Sequence, residues 1–326
     1  MAIPSLAPKS PEQFDFSTGS MLNTEEAFLW MRSAVQKEPR VNPELIWGHI
    51  RQMVGIRHAD TNPSGLEKAL GYLAETYTRY GLQIREEVFD PFGVKYPNLI
   101  GVLPGKDQAD EVLIIGAHYD TVAISPGADD NASGLAVMLE TARVLSGLPP
   151  GCGIEFVGFS MEEQGLLGSH SYAHRARRSG KKILGAVVLE SVGYTEQGPG
   201  SQRIPPGLPL SVPEVGNFMG IVGNTASADL CRAFEEAITA HVPRLSKFSF
   251  LVPGNGEAFP DTRRSDHASF WDVGLPALMI TDTADFRNPH YHQATDLPET
   301  LDITFMTDLA QALVAFALSP KSFLRR

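Results

Sequence analysis

VLIIGAHYD, residues 112–120, is the stretch on which the expected architecture depends: six residues without a polar side chain, followed at once by His118 and Asp120. An uninterrupted apolar run is typical of a strand that is covered on both faces, as the strands of parallel sheets are. In open α/β sheets the binding crevice lies beyond the carboxyl ends of the strands. We therefore expect functional side chains where this run ends.

Strand-like and helix-like patterns alternate on both sides of this run. Further strands are predicted at 154–159, 183–189, 218–222 and 277–281. Helices are predicted at 24–36, 43–55, 64–80, 131–145, 167–178, 227–240 and 303–318. Ser64 and Glu67 fit a capping box at the start of one helix. The alternation predicts an α/β fold, a three-layer sandwich in which helices flank a mostly parallel central sheet.

Composition and chain ends bound the organisation and the class of function. Residues 1–22 are rich in Pro, Ser and Thr and predict an irregular arm, and 23–326 are expected to form a single domain. A net charge of −11 without a long basic run argues against a nucleic-acid partner. No stretch reaches the ~18 apolar residues of a membrane span, so we expect no membrane partner. The first twenty residues lack a secretory signal, which predicts a cytoplasmic protein if this is the full natural chain.

Ligand-type side chains follow four of the predicted strands. His118 follows VLIIGA, Glu162 and Glu163 follow FVGFSM, Glu190 follows AVVL, and His292 lies a short loop beyond ALMI. Carboxylates and imidazoles stay out of apolar surroundings unless they are paired or bind a cation. Because the carboxyl ends of parallel strands share one edge of a sheet, the pattern predicts a metal site there.

Two acidic motifs carry the chemistry. In GADDNASG, 127–134, an ordinary helix cap explains one or two acids but not the surrounding small residues. A carboxylate has two oxygens and can bridge a pair of metal ions, and Asp130 is our choice. In MEEQG, adjacent carboxylates repel unless a cation is near, although an exposed acidic turn is the alternative. Glu163 would bind a metal while Glu162 reaches a bound water as a base.

The histidines divide by context. His118 and Asp120 face one way on an extended backbone, so Asp120 is predicted to orient the imidazole through its second nitrogen. His58 and Asp60 have the same spacing, but they follow a helix and precede a Pro/Gly loop, so we assign them no role. NPHYH, 288–292, offers two imidazoles, and spacing alone does not choose between them.

The chain has two cysteines, Cys152 and Cys231. We expect them to be buried thiols, because two cysteines cannot form a disulfide framework.

HYD, GADDNASG, MEEQG, RRSDHASFW and NPHYH resemble, in order and spacing, the zinc aminopeptidases of peptidase clan MH. That group includes bacterial leucyl aminopeptidases, glutamate carboxypeptidase II and the glutaminyl cyclases, and the resemblance covers about residues 60–315. It implies the phosphorylase/hydrolase-like zinc peptidase fold. It also implies two zinc ions bridged by Asp130, one completed by His118 and Glu190 and the other by Glu163 and His292.

The resemblance further implies the roles of the remaining residues. Glu162 would be the general base, Asp120 would orient His118, and Asp266 and His267 would line the substrate pocket. Many relatives have Asp where Glu190 stands, which puts the occupancy of that metal position in question. Phe270 and Trp271 could shape an apolar pocket, although as core residues they need no such role.

The expected activity is that of an aminopeptidase acting on peptides with a free N-terminus. Three alternatives stay open. Arg263 and Arg264 could instead bind a substrate carboxylate, as in a carboxypeptidase or dipeptidase. A glutaminyl-cyclase-like acyltransferase would use a single zinc ion. A non-catalytic binding module would have kept the fold and lost the chemistry.

Overall fold

A mixed sheet of eight strands lies at the centre of the structure, a computed structural model that describes residues 40–106, 111–205 and 211–318. The strands are β1 Gln83–Phe89, β2 Tyr96–Leu103, β3 Glu111–His118, β4 Gly153–Phe159, β5 Lys182–Glu190, β6 Met219–Asn224, β7 Lys247–Val252 and β8 Ala277–Thr281. Their order across the sheet is β1-β2-β4-β3-β5-β8-β6-β7. The pairs β3/β4, β3/β5, β5/β8 and β6/β7 are parallel, and β1/β2, β2/β4 and β6/β8 are antiparallel.

Helices cover both faces of this sheet. They are α1 Pro43–Met53, α2 Pro63–Arg79, α3 Gly134–Ser146, α4 Leu167–Arg178, α5 Ala228–His241, α6 His267–Asp272 and α7 Ile303–Leu318. α4 and α6 pack together over one face, and α1, α3, α5 and α7 pack against one another over the other. Leu113, Ile114 and Ile115 of β3 are fully buried, as a strand covered on both faces requires. The predicted three-layer α/β sandwich with a mostly parallel sheet is confirmed.

The predicted elements that fall on described residues are all present, with small differences at their ends. The helix expected at 131–145 begins only at Gly134, because 128–133 form a wider turn in which Asp130 and Asn131 have non-helical dihedral angles. The capping box is wrong: Asn62 caps α2 by accepting from the Gly65 amide, and the Ser64 hydroxyl donates to Asn62 instead. The predicted arm at 1–22 and the helix at 24–36 lie outside the described residues.

Strands β1, β2 and β7 and the short helix α6 were not predicted. β1 is an edge strand with mostly exposed residues, and its sequence QIREEVF has no apolar run to mark it. Cys152 and Cys231 are buried thiols that are not joined in a disulfide, as predicted. Within residues 40–106, 111–205 and 211–318, no helix is both long and apolar enough to cross a bilayer.

Candidate metal centre

Strands β3, β4, β5 and β8 run in the same direction, so the residues at their carboxyl ends meet at one edge of the sheet. His118 is the last residue of β3 and Glu190 the last of β5, while Glu162 lies in the turn after β4. One ligand-type atom from each of these three side chains lies within 4.8 Å of the others. Asp130, Glu163 and His292 form a second group that meets the same limit.

The Asp130 carboxylate lies between the two groups. Its Oδ1 is 3.1 Å from His118 Nε2, and its Oδ2 is 3.0 Å from His292 Nε2. Glu190 Oε2 is 3.5 Å from His118 Nε2, and Glu163 Oε2 is 3.3 Å from His292 Nε2. The structure thus brings all five predicted ligands together, with Asp130 placed to serve both groups.

The residues present fit a pair of zinc ions. His118 Nε2, Asp130 Oδ1 and His292 Nε2 are buried and have no hydrogen-bond partner among the described residues, which is costly unless something else satisfies them. Zinc binds imidazole nitrogen and carboxylate oxygen at about 2.0–2.2 Å in a tetrahedron, whose edges are then about 3.3–3.6 Å. The four ligand-to-ligand distances of 3.0 to 3.5 Å are close to such edges.

Burial and crowded carboxylates shift the pKa values of the whole group. Burial would lower the pKa of His118, but the charges of Glu162 and Glu190 raise it well above its usual value. Burial raises the pKa of Glu163 to about 7, and the charge of Asp130 adds to this. Burial also raises the pKa of Glu162 well above its usual value. A buried divalent cation would offset this excess of negative charge.

Asp120 supports the site through both its carboxylate and its main chain. Its Oδ1 accepts from the Glu162 amide and its Oδ2 from the Glu163 amide, both at 3.1 Å. Its carboxylate is 3.6 Å from His118 Nδ1, whereas its backbone carbonyl is 3.2 Å from that nitrogen. The main chain and the carboxylate of Asp120 therefore both face the imidazole, and the carboxylate also holds the turn that carries Glu162 and Glu163.

The two residues expected to line the substrate pocket, Asp266 and His267, are both fully buried, but their surroundings differ. Asp266 is fully buried close enough to Glu162 for its charge to raise the pKa of that glutamate, and burial raises its own pKa to about 7. His267 does not line the pocket. Its Nε2 lies 2.8 Å from the Thr262 carbonyl and its ring packs edge-on against Trp271, because the helix α6 turns it into the core.

An apolar pocket opens beside Glu190. Its apolar wall comes from β6, β7, β8 and the residue before β6, namely Phe218, Val222, Phe248, Phe250 and Met279. Phe270 and Trp271 were considered for this role, but they lie on α6 and belong to the buried core of the protein. Strands were predicted at 218–222 and 277–281, but no sequence pattern marked these side chains as a pocket wall, because the wall combines residues from three separate strands.

Arg264 also lines the pocket, but its guanidinium is engaged. It lies 2.9 Å from the Asp285 carboxylate and 3.8 Å from that of Asp261. Arg263 donates to Asp272 at 2.8 Å, away from the pocket lining. Both arginines therefore already have carboxylate partners within the chain.

Two further residues beside the ligands were missed. The Tyr291 ring stacks on His292 with centroids 3.9 Å apart, and Tyr291 also lines the pocket. Burial, with the charges of Asp130 and Glu190, raises the pKa of its hydroxyl, which stays protonated. Ser265 donates to Glu190 Oε2 at 2.8 Å. Because Tyr291 stands directly before His292 in NPHYH, the sequence could have indicated that it lies beside the metal ligands. No sequence pattern indicated that Ser265 does.

Asp296 supports Asp130 through the main chain. Its Oδ1 accepts from the Asp129 amide at 2.8 Å and its Oδ2 from the Asp130 amide at 3.1 Å. Burial raises its pKa to about 8, and the charge of Asp129 adds to this. Asp296 thus fixes the backbone from which the Asp130 carboxylate extends.

Replacing Asp296 by Asn is expected to weaken zinc binding by about 10–100-fold, the usual effect of losing a residue that orients a ligand. The Asn side chain has one acceptor oxygen for two amides, and its NH2 group would face the second amide. Competition with a chelator for zinc measures the change. Asp272→Asn, which alters a carboxylate outside the site, is the matched control, and equal zinc affinity in both variants would rule out this role.

Comparison with known proteins agrees with this geometry. The model of Peptidase family M28 matches residues 98–317. The chain is 30% identical to the uncharacterized protein YfbL of Escherichia coli (strain K12) over 309 residues, which cover 90% of this chain and 93% of that protein. It is 29% identical to leucine aminopeptidase 1 of Trichophyton rubrum over 240 residues, 67% of this chain but only 56% of that protein.

A solved structure adds to the match. BSAP, a zinc aminopeptidase from Bacillus subtilis, is 27% identical, with a TM-score of 0.53 over 69% of this chain and 50% of that one. The family match covers the segment that carries all five ligand-type residues and Glu162. The chain therefore belongs to peptidase family M28 and is a metallopeptidase.

Proposed function

We propose that the protein is an aminopeptidase that holds two zinc ions per chain and removes apolar residues from the N-terminus of peptides. The observation that carries the proposal is the Asp130 carboxylate, whose two oxygens face two different imidazoles. One carboxylate that serves two ligand groups is the arrangement of a paired metal site. The names of the leucine aminopeptidase and zinc aminopeptidase relatives support the same activity.

Bound zinc would supply a water of lowered pKa, near 7, and would polarise the scissile carbonyl. Glu162 accepts the proton of the attacking water and returns it to the departing amine. Burial raises the pKa of this carboxyl group towards the range in which a group can both take and give a proton. Asp120 holds the Glu162 amide, so the carboxylate is presented from a fixed backbone.

Tyr291 is the donor best placed for the substrate carbonyl. Its ring is fixed against His292, and Tyr291 lines the pocket together with Glu190, a residue of the first ligand group. A preorganised donor aimed at developing negative charge stabilises a transition state. Because the ring is already held in place, this donor needs no movement of the protein during the reaction.

The pocket and its charges support the choice of the amino end. Five apolar side chains would bury the first residue of the substrate, which is worth about 1.5–3 kcal/mol for a leucine or phenylalanine side chain. A free amino group would meet the carboxylates of the metal centre. A substrate carboxylate would have to compete with Asp285 for Arg264 and with Asp272 for Arg263.

Zinc-loaded protein is expected to hydrolyse leucine 4-nitroanilide and to leave its N-acetyl derivative intact. Zinc per chain is measured on the same sample by elemental analysis. Release of a C-terminal residue from an amino-blocked peptide would identify a carboxypeptidase instead. One zinc ion per chain with cyclisation of an N-terminal glutamine would identify a glutaminyl-cyclase-like enzyme, and zinc binding without turnover of any of these substrates would identify a binding module.

A further inference from the structure

Three large apolar side chains are the most exposed of their kind among residues 40–106, 111–205 and 211–318. They are Phe92, Ile124 and Val94, which are 71%, 63% and 52% exposed. Single exposed apolar residues are ordinary on soluble proteins, but several in one region mark a binding surface. All three belong to segments at the carboxyl ends of the parallel strands, where the metal centre also lies. We call these three side chains the apolar rim.

Ile124 lies in the loop that leads from His118 to Asp130. In that loop the Val122 amide donates to Glu163 Oε1 at 3.1 Å. Two residues of chain span at most about 7 Å, so the Ile124 backbone lies within that distance of Val122. The buried Arg57 side chain donates to the carbonyls at both ends of the loop, those of Tyr119 and Gly127. Ile124 is therefore presented next to a metal ligand from a loop that is fixed at both ends.

Phe92 and Val94 lie in the hairpin loop 90–95 between β1 and β2. Because β2 runs antiparallel to β4, with Leu99 opposite Gly158, this loop projects beyond the carboxyl end of β4. The Tyr119 hydroxyl donates to the Pro97 carbonyl at 2.7 Å, which ties the base of the hairpin to the residue after His118. The hairpin and the metal centre therefore share one edge.

The apolar rim and the apolar pocket lie on opposite sides of the metal centre. In the strand order, β1 and β2 stand at one end, the ligand-bearing β3, β4, β5 and β8 in the middle, and the pocket-lining β6 and β7 at the other end. A peptide whose first side chain enters the pocket has its remaining residues directed past the metal centre towards β2. From β3 to β2 is two strand spacings, about 10 Å, which about three extended residues cover.

We propose that the apolar rim binds the residues that follow the scissile bond, so that the enzyme prefers oligopeptides with apolar residues at their second to fourth positions. This inference rests on the proposed aminopeptidase function. Ile124 contacts the residue nearest the scissile bond, and Phe92 and Val94 contact those further along. The position of the rim at the same side of the sheet as the metal centre favours a peptide as its occupant.

The test compares three substrates: leucine amide, Leu-Ala-Gly-Gly and Leu-Ala-Phe-Leu. We expect kcat/KM for Leu-Ala-Phe-Leu to exceed that for Leu-Ala-Gly-Gly by about tenfold, because partial burial of large apolar side chains is worth that much. The double variant Phe92→Ser, Val94→Ser should bring this ratio close to one while leaving leucine amide turnover unchanged, because these two residues are assigned to the positions at which the tetrapeptides differ. Ile84→Ser is the matched control, since Ile84 is 41% exposed but lies at the opposite end of β1.

Three results would overturn the inference. The first is equal kcat/KM for both tetrapeptides in the wild type, and the second is a ratio that survives in the double variant. The third concerns association rather than catalysis. If the double variant keeps the wild-type ratio but no longer dimerises in sedimentation, the rim binds a second copy of the chain. If it keeps the ratio but no longer binds phospholipid vesicles, the rim binds a lipid surface. A wild type that fails on leucine amide contradicts the proposed function itself, so the two failures are distinguishable.

Discussion

Replacing Glu162 by Gln is expected to lower kcat by about 10²–10⁴-fold, the usual contribution of a general base, while the zinc content stays the same. Gln has the same shape but cannot accept the proton of the attacking water. Glu162 Oε2 is 4.0 Å from His118 Nε2, farther than Asp130 Oδ1 at 3.1 Å and Glu190 Oε2 at 3.5 Å. It is therefore the member of its group best placed to act as a base rather than as a ligand.

Glu163→Gln is the matched comparison for this variant, since the two residues are adjacent and both amides are held by Asp120. Glu163 Oε2 lies 3.3 Å from His292 Nε2, so its replacement should reduce bound zinc. Steady-state kinetics and elemental analysis of both proteins separate the two roles. Full activity of the Glu162→Gln variant would show that the base is another residue, and loss of zinc from it would show that Glu162 is a ligand.

Replacing His292 by Ala is expected to remove about one zinc ion per chain and to reduce hydrolysis to the background rate. His292 Nε2 faces both Asp130 and Glu163, at 3.0 Å and 3.3 Å, and no other imidazole of the part of the chain that the structure describes completes that group. A tetrahedral zinc position that loses one of three protein ligands holds its ion poorly. Dialysis against a weak chelator, followed by metal analysis, measures the loss.

His290→Ala provides a close control because this second imidazole lies two residues away. Its Nδ1 is 2.9 Å from the Thr295 hydroxyl, and its ring faces Tyr194 at a centroid distance of 6.0 Å. We expect this variant to retain its zinc and its activity. The opposite pattern, in which His290→Ala loses zinc and His292→Ala does not, would contradict the ligand assignment.

Much of the site could be predicted because its ligands follow apolar runs. His118 and Glu190 end strands that are buried on both faces, and an acid or imidazole at such a place has few explanations other than a cation. His292 was different, since it was chosen over His290 only by resemblance. Its backbone has φ of 58°, a left-handed conformation that is uncommon for a residue with a side chain and that no sequence pattern announced.

The supporting residues could not be predicted, because their contacts are made with the main chain of distant segments. The Asp296 carboxylate accepts from the backbone amides of Asp129 and Asp130. Every residue other than proline has such an amide, so no residue type in the sequence marks this contact. Arg57 is buried with its donors spread over backbone carbonyls, including those of Tyr119 and Gly127. The exposed edge strand β1 was missed for a related reason: a strand that buries little carries no apolar pattern.

The contribution of Asp296 has a consequence for how the enzyme is made. A nascent chain that has left the ribosome as far as β8 already contains His118, Asp130, Glu163 and Glu190, yet it lacks both His292 and the carboxylate that holds the Asp129 and Asp130 amides. Translation therefore delivers His292 and its backbone clamp together, after the other four ligand-type residues. Hydrolytic competence is withheld until residues 292–296 have been synthesised, and chains that terminate before them are born without it.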